Sequence, residues 1–267
     1  MSVIVVFDID GVIRDVGQSY RRALADTVEQ FTNGVYRPTA IDIDNLKGEG
    51  SWNNDWEGSQ EFIYRYFESQ GQNRAELNLD YERIVSYFQS KYRGTDPVNW
   101  NGYICNEPLL ANLEYFNSLT AAQISWGFFS GATKGSAGYI LERRLGLKEP
   151  VLIAMEDAPG KPDPQGLFMV VTQLELQHRQ SDLVPTIFYV GDTVADMHTV
   201  VNARTQQPDR RSIAIGVLPP HILAKPSQVP SYSQSLMQAG ADRVIDNIVE
   251  LTPTLINEVL CLADIQF

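Results

Sequence analysis

VIVVFDIDG, residues 3–11, joins five apolar residues to an Asp-x-Asp pair and a glycine. A short apolar run that ends in a glycine turn is typical of a strand buried in a parallel sheet. Asp8 and Asp10 stand two residues apart at the end of this strand, so their side chains are expected to point the same way, and Gly11 permits a sharp turn after them. Asp and Gly are also common in plain polar turns, so the pair alone favours neither a site nor a turn.

Further apolar runs follow along the chain and alternate with helical patterns. The runs span residues 124–129, 151–155, 186–190, 212–217 and, more weakly, 243–245. Helical patterns follow the first three of these runs, at residues 134–145, 166–175 and 195–203. Strands that alternate with helices indicate an α/β fold with a parallel sheet. Ligands of such sheets bind beyond the carboxyl ends of the strands, which is where the Asp pair is expected.

The alternation stops between residues 14 and 100. Three helical patterns rich in aromatic residues occupy this stretch, at residues 20–31, 59–70 and 81–92. We therefore expect two domains: an α/β core of residues 1–13 and 101–267, and an all-helical domain of residues 14–100 inserted after the first strand. Residues 219–235, which are rich in Pro and Ser, are expected to form a surface loop.

Acidic residues also follow a later strand. Gly191 and Asp192 end the run at residues 186–190, and Asp196 would lie one helical turn further on the same face. As a bare pair, these two aspartates favour helix capping. Together with Asp8 and Asp10, they place four carboxylates at one edge of the sheet. Such a cluster favours a hard divalent cation with oxygen ligands, and Mg²⁺ is the usual one.

Two more segments can bring anion contacts and positive charge to the same edge. Ser130 ends the second strand and is followed by Gly131, so its hydroxyl and the next backbone N–H can face an anion. Lys161 stands in GKPDP, residues 160–164, where two prolines stiffen the backbone. A lysine fixed in this way opposite an acidic cluster would offset part of the negative charge.

Composition excludes several classes of protein. The 267 residues carry 21 Lys and Arg against 33 Asp and Glu, a net charge of −12, so nucleic-acid and membrane-surface partners are not expected. Cys105 and Cys261 cannot form a disulfide framework and are expected to be reduced, and three scattered histidines make no zinc motif. Without a signal peptide or a span of about 20 apolar residues, we expect a cytoplasmic protein, as a monomer or a homodimer.

Four motifs, in order, resemble those of the haloacid dehalogenase (HAD) superfamily. They are FDIDGVI (7–13), Ser130-Gly131, GKPDP (160–164) and YVGDTVAD (189–196). Their spacing is similar to that of subfamily I, in which a helical cap is inserted after the first motif. The resemblance implies a Rossmann-like parallel sheet with helices on both faces, plus a small all-helical cap domain.

The resemblance also implies a role for each matching residue. Asp8 would be the nucleophile that attacks phosphorus and forms an aspartyl phosphate. Asp10 would be the general acid for the leaving oxygen and then the general base for water. Ser130, Gly131 and Lys161 would hold the phosphoryl oxygens.

The metal that the resemblance implies is Mg²⁺, bound by Asp8, the backbone carbonyl of Asp10, and Asp192. Asp196 would be either a direct ligand or a partner of the ligands. We therefore expect a Mg²⁺-dependent phosphatase that acts on a small phosphate monoester. The alternatives are a sugar-phosphate phosphomutase of the same fold and, from another class, a catalytically inactive binding protein.

Selection of the leaving alcohol is expected to come from the insert, because the core motifs would recognise only phosphate. A glycine-flanked loop carries Lys47, Trp52 and Asn54, whose side chains could contact the substrate. The alternative is that Trp52 and Trp56, four residues apart, pack inside the insert.

Overall fold

The computed structural model describes residues 2–49, 52, 54–177 and 184–264. The chain forms two compact units. The core unit comprises Met1–Asp15 and Pro108–Phe267, and the insert unit comprises Val16–Glu107. The two junctions lie two and seven residues later than the boundaries expected from the sequence.

Backbone hydrogen bonds explain where the junctions fall. The Leu110 N–H donates to the Ile13 carbonyl (2.8 Å), so the chain on either side of the insert is tied to the core unit. The N–H groups of residues 101 and 102 donate to the Arg93 carbonyl (3.1 and 3.0 Å). These residues therefore belong to the insert unit and not, as the sequence predicts, to the core.

A parallel sheet forms the centre of the core unit. Its strands are β1 (Val3–Phe7), β2 (Ser125–Phe129), β3 (Leu152–Ile153), β4 (Thr186–Gly191), β5 (Ser212–Val217) and β6 (Arg243–Ile245). Within the described residues the sheet has six strands, in the order β3-β2-β1-β4-β5-β6. The predicted α/β fold is confirmed. β3 is shorter than its apolar run, because only two residues of that run pair with β2.

The strand ends are level where the acidic motifs begin. Phe7 pairs with Phe128 on one side and with Val190 on the other. β1 and β4 are neighbours at the point where the strand order changes direction, which is where open α/β sheets bind ligands. The residues just after these strands therefore meet at one edge.

Helices cover both faces of the sheet. In chain order the helices are α1 (Tyr20–Phe31), α2 (Ala40–Gly48), α3 (Asp55–Ser69), α4 (Tyr81–Tyr92), α5 (Leu113–Ala121), α6 (Lys134–Gly138), α7 (Gln165–Gln177), α8 (Val194–Gln206), α9 (Pro220–Leu223), α10 (Val229–Gln238) and α11 (Pro253–Asp264). Side chains alternate along β1. Ile4 and Val6 pack with residues of α7, α8 and α10. On the other face, Phe7 lies edge-on against Phe116 of α5, with ring centroids 5.8 Å apart.

The loop expected at residues 219–235 is wrong, because α9 and most of α10 occupy it. Its prolines start helices rather than break them: Pro220 and Pro230 lie in the first turns of α9 and α10, where a missing N–H costs no hydrogen bond. Leu236 of α10 is buried against the sheet.

The insert unit contains α1–α4. The sequence predicted α1 and α4 with the observed bounds, and α3 begins earlier than predicted because Asn54 caps it. α2 was not predicted, although Thr39 and Asp42 form a capping box at its start. Tyr20 of α1 stacks on Tyr92 of α4 with ring centroids 4.1 Å apart. Among the described residues of the whole chain, no helix has the length and apolarity needed to cross a membrane.

Candidate active site

Asp8 is the first residue of the site and follows β1 directly. Its backbone N–H donates to the Val190 carbonyl of β4 (2.8 Å), and its side chain is buried. Gly11 then turns the chain with a φ of 78°. A Cβ at Gly11 would lie 2.0 Å from Oδ2 of Asp192. Glycine is therefore required here both for the turn and for the close approach of Asp192.

Three aspartates form a buried cluster at this edge. One carboxylate oxygen each from Asp8, Asp192 and Asp196 lies within 4.8 Å of the others. The three come from the ends of β1 and β4 and from the first turn of α8. Hard oxygen donors in this number and spacing are those that a divalent cation takes in proteins.

Lys161 is the cation that contacts this cluster. Its Nζ lies 2.7 Å from Oδ1 of Asp8 and 2.7 Å from Oδ1 of Asp196. The rings of Phe129 and Tyr189 flank it, with centroids 5.5 and 5.6 Å from Nζ. Two carboxylates and two aromatic faces therefore hold this ammonium group in place.

Asp196 is held from several sides. Thr193 donates to its Oδ2 from the backbone N–H (3.0 Å) and from the hydroxyl (2.6 Å), and the Tyr189 hydroxyl donates to its Oδ1 (3.0 Å). Thr193, rather than Asp192, is the residue that caps α8, through a capping box with Asp196. Both oxygens of Asp196 therefore have protein partners.

Burial controls the protonation of these carboxylates. It raises the pKa of Asp8 from 3.8 to about 7, although Lys161 pulls the value down. Burial, reinforced by the charges of Asp196 and Asp8, also holds the pKa of Asp192 well above its usual value. For Asp196 burial is outweighed by Lys161 and the Thr193 hydrogen bonds, so its pKa is lowered. For Lys161, Asp196 and Asp8 outweigh burial and raise the pKa well above 10.5.

The site therefore fits a divalent cation. Lys161 balances only part of the charge of three buried carboxylates, and the raised pKa values of Asp8 and Asp192 express this imbalance. A hard cation among these oxygens would remove the cost of ionising them.

Asp10 lies beside this cluster but not in it. Its Oδ1 accepts a hydrogen bond from Nε of Arg14 (2.6 Å). Its side chain is 30% exposed, whereas that of Arg14 is fully buried. Part of the Asp10 side chain is therefore accessible to solvent.

Ser130 and Gly131 follow β2 at the same edge. The Ser130 hydroxyl is buried and accepts a hydrogen bond from the Ala132 N–H (3.1 Å), which leaves its own O–H to donate. Gly131 has open space where a Cβ would be. The Lys134 N–H, at the start of α6, already donates to the Glu156 carboxylate (2.8 Å), so this helix start is not an open anion site.

A family model described as haloacid dehalogenase-like hydrolase matches residues 3–203. The chain belongs to the haloacid dehalogenase-like hydrolase family. The match includes the strands that carry Asp8 and Asp192 and the loop that carries Lys161.

Known proteins similar to this haloacid dehalogenase-like hydrolase differ in their names. An imidazoleglycerol-phosphate dehydratase of Phytophthora nicotianae is 28% identical over 260 residues, which are 94% of this chain but 52% of that protein. The chain thus spans about half the length of this relative. The phosphatase Tt82 of Thermococcus thioreducens has a TM-score of 0.63 at 23% identity, over 80% of this chain and 93% of its own. A putative β-phosphoglucomutase of Thermotoga maritima has a TM-score of 0.63 at 17% identity, over 96% and 99%. At these identities the two structures show the fold.

The residues expected to select substrate in this haloacid dehalogenase-like hydrolase all have partners inside the insert unit. Lys47 Nζ lies 2.8 Å from Oδ1 of Asp55. The Trp52 indole N–H donates to Glu49 (3.0 Å). Asn54 caps α3 by accepting from the backbone N–H of the residue two positions on (2.9 Å). These contacts give each residue a structural role, and the specificity role stays a prediction.

Three residues of the site were not assigned from the sequence. Tyr189 holds Asp196 and flanks Lys161, although it lies within the fourth motif. Arg14 pairs with Asp10, and the Tyr232 hydroxyl of α10 donates to the Asp192 carbonyl (2.8 Å). Alternation along β4 places Tyr189 on the face that packs against α7 and α8, whereas the contact of Tyr232 depends on α10, a helix that the sequence does not predict.

Proposed function

We propose that this chain is a Mg²⁺-dependent phosphatase that hydrolyses a small phosphate monoester through an aspartyl phosphate on Asp8. The observation that carries the proposal is the contact of Lys161 with Asp8 (2.7 Å) inside the buried Asp8–Asp192–Asp196 cluster. A buried carboxylate beside a lysine can act as a nucleophile toward an electrophile that carries negative charge. A phosphoryl group is such an electrophile.

Each residue takes a defined part in two displacements. In the first, an Asp8 oxygen forms a bond to phosphorus while the ester P–O bond breaks, and Asp10 gives its proton to the leaving alkoxide. In the second, Asp10 takes a proton from water as the water oxygen bonds to phosphorus, and Asp8 leaves as a carboxylate with release of inorganic phosphate. Lys161 and the Ser130 hydroxyl hold phosphoryl oxygens in both steps, together with the Gly131 N–H.

Mg²⁺ would be held by Asp8, Asp192 and the backbone carbonyl of Asp10. When bound, it would stabilise negative charge on the phosphoryl oxygens and keep Asp8 ionised. Both carboxylate oxygens of Asp196 contact protein groups, namely Lys161, Tyr189 and Thr193. This supports a role in orienting Lys161 rather than in direct ligation of the metal.

The Phytophthora nicotianae relative suggests a substrate class. Its name gives a dehydratase of imidazoleglycerol phosphate, and loss of water from that compound would leave the phosphate ester in place. A phosphatase that acted alongside such an enzyme would meet an imidazole-bearing alkyl phosphate. We therefore include this class among the candidate substrates.

The test is release of inorganic phosphate from a panel of phosphate monoesters with Mg²⁺. The panel contains sugar phosphates, alkyl phosphates, imidazoleglycerol phosphate and its dehydration product, and aryl phosphates. The expected result is multiple turnover on at least one compound, which Asp8→Asn abolishes, with ³²P retained on the wild-type protein after rapid acid quench.

The remaining outcomes would overturn the proposal. Isomerised sugar phosphate that requires a bisphosphate activator, without free phosphate, would identify a phosphomutase. Saturable binding of a phosphorylated compound without any turnover would identify a binding protein. Phosphate release that survives Asp8→Asn in the folded protein would remove Asp8 as the nucleophile.

A further inference from the structure

Arg14 is a fully buried arginine four residues after Asp10. The turn after β1 brings it back toward that residue. The N–H groups of Ile13 and Arg14 both donate to the Ile9 carbonyl (2.8 and 3.1 Å), and the Gly11 N–H donates to the Arg14 carbonyl (2.9 Å). The turn is closed by its own hydrogen bonds, and the Arg14 side chain returns to Asp10.

The hydrogen bond between the two side chains is short, and only one of the two residues is exposed. Nε of Arg14 donates to Oδ1 of Asp10 at 2.6 Å, a charge-assisted bond. The arginine side chain has no exposure, whereas Asp10 keeps 30%. The accessible part of the pair therefore belongs to Asp10, whose Oδ1 is bonded to the buried arginine.

Two simpler roles account poorly for Arg14. It is too deeply buried to bind substrate directly. An ion pair with one part-exposed partner is also weak evidence for stability, because solvent screens its attraction and burying the arginine has a desolvation cost. What the planar guanidinium does supply is orientation, since its donors are fixed in one plane and it keeps its charge at every working pH.

We propose that Arg14 is a positioning residue for proton transfer, which holds Oδ1 of Asp10 so that Oδ2 faces the leaving group. This rests on the proposed role of Asp10 as general acid. In the first displacement, the proton on Oδ2 passes to the ester oxygen as its bond to phosphorus breaks and Asp8 bonds to phosphorus. The Asp10 carboxylate that remains stays on Arg14 and faces the water of the second step.

A misplaced general acid has a specific kinetic signature. Phenolate is a poorer leaving group than p-nitrophenolate, so phenyl phosphate depends more on proton donation than p-nitrophenyl phosphate does. The two esters have similar shapes and share the phosphoryl group, so a general distortion of the site would slow both equally. The value of kcat/KM reports the step in which the leaving group departs.

The experiment compares Arg14→Lys and Arg14→Met with wild type on both aryl phosphates at saturating Mg²⁺. We expect kcat/KM to fall roughly tenfold to a hundredfold for phenyl phosphate and less than about threefold for p-nitrophenyl phosphate. The matched control is Arg210→Lys, since Arg210 pairs with Glu175 (2.5 Å) at the amino end of β5. That variant should leave the ratio of the two activities unchanged.

The contrary outcomes are equally defined. Equal losses on both esters, or no loss on either, would overturn the proposal. Failure of both Arg14 variants to fold, judged by thermal melting, would assign Arg14 to stability and also overturn it.

An Asp10→Asn background separates this inference from the proposed function. There Arg14→Lys should no longer change the ratio of the two activities, because the effects pass through one group. If Asp10→Asn alone keeps full turnover of phenyl phosphate, the proposed general acid is wrong. If Asp10→Asn loses turnover but the Arg14 variants show no leaving-group dependence, only the role of Arg14 is wrong.

Discussion

Each unit of this protein gathers three carboxylates, but the two clusters have different charge partners. In the core unit, Asp8, Asp192 and Asp196 are buried and share contacts with Lys161. The insert cluster lies just after α2, on α3 and in the turn after α3, and its side chains are part-exposed except that of Glu61, which is buried. Its members are three glutamates and two arginines: Glu49, Glu61, Glu68, Arg65 and Arg74.

The pKa values follow this difference. Hydrogen bonds from Arg65 lower the pKa of Glu49 from 4.5 to about 2. For Glu61, burial is outweighed by Arg74 and Arg65, and the pKa is again lowered. In the core, burial raises the pKa of Asp8 to about 7. The insert carboxylates are already satisfied as anions, whereas those of the core are not.

This contrast separates a structural cluster from a candidate site. Carboxylates already paired with arginines need no further cation, and ion pairs with part-exposed arginines contribute little to stability. Buried carboxylates with too little positive charge nearby are costly unless a cation or a proton joins them, and such groups are typical of functional sites. Removing matched groups from the two clusters tests the distinction.

The largest expected effect comes from Asp8→Asn. Asn has the same shape but is a poor nucleophile, so turnover should fall more than about a thousandfold, or ~4 kcal/mol in the barrier. Glu68→Gln, which removes a carboxylate from the insert cluster, should stay within about twofold of wild type on p-nitrophenyl phosphate. Steady-state kinetics on folded protein measure both, and a tenth of wild-type kcat in Asp8→Asn would reject Asp8 as nucleophile.

Metal dependence comes next. EDTA should abolish turnover and added Mg²⁺ should restore it. Ca²⁺ should bind but support little turnover because its coordination is looser. Asp192→Ala should raise the Mg²⁺ requirement by roughly tenfold or more and should abolish the rise in melting temperature that Mg²⁺ gives the wild type. Full activity in excess EDTA would contradict the cation site.

The core cluster was predictable from the sequence because it depends on strand ends. Asp8, Asp192 and Ser130 each follow an apolar run, and parallel strands bring their carboxyl ends together. Lys161 was also found, since GKPDP is a recognisable motif. The family match then confirmed the fold and the class of hydrolase.

What the sequence could not give were contacts made by the final packing. The pairing of Arg14 with Asp10 depends on how tightly one turn closes. The hydrogen bond from the Tyr232 hydroxyl to the Asp192 carbonyl depends on α10, in a segment whose prolines and serines favour a loop. The insert network joins residues up to 16 positions apart, and no local pattern marks those pairs.

The pH dependence of stability offers a third comparison. In the metal-free protein, folded Asp8 keeps its proton up to about pH 7, whereas the unfolded chain releases it near 3.8. Stability should therefore fall as pH rises between these values, by up to about 1.4 kcal/mol per pH unit for this group, and Asp192 acts in the same direction. The lowered pKa values of Glu49 and Glu61 have the opposite effect, a loss of stability as pH falls, and they act only below about pH 4.5. Thermal melts from pH 5 to 8 should show a melting temperature that falls with pH, and Asp8→Asn should reduce this slope. An unchanged slope in the variant would contradict the raised pKa of Asp8.

Selectivity should give a smaller effect than these. Lys47→Ala and Trp52→Ala should each lower kcat/KM for the best substrate of the panel by roughly 1–3 kcal/mol, and p-nitrophenyl phosphate turnover much less. The ratio of the two activities is the measurement. Equal effects on both substrates would contradict the specificity role. The contacts with Asp55 and Glu49 would then indicate a structural role for these residues.

The smallest effect is expected from Arg74→Gln, set against Lys161→Gln. Both remove one cation from a three-carboxylate cluster, and both replacements keep a hydrogen-bonding side chain. Arg65 still pairs with Glu61 and Glu49 after Arg74 is lost, and the Arg74 side chain is itself 42% exposed, so unfolding should become easier by less than about 1 kcal/mol with kcat unchanged. Among the described residues, the ion pair of Asp8 is with Lys161 alone, so Lys161→Gln should abolish turnover while Asp8 becomes harder to ionise. Chemical denaturation and steady-state kinetics on both variants supply the comparison. If Arg74→Gln impaired catalysis as strongly as Lys161→Gln, the balance of charge would not be what separates the two clusters.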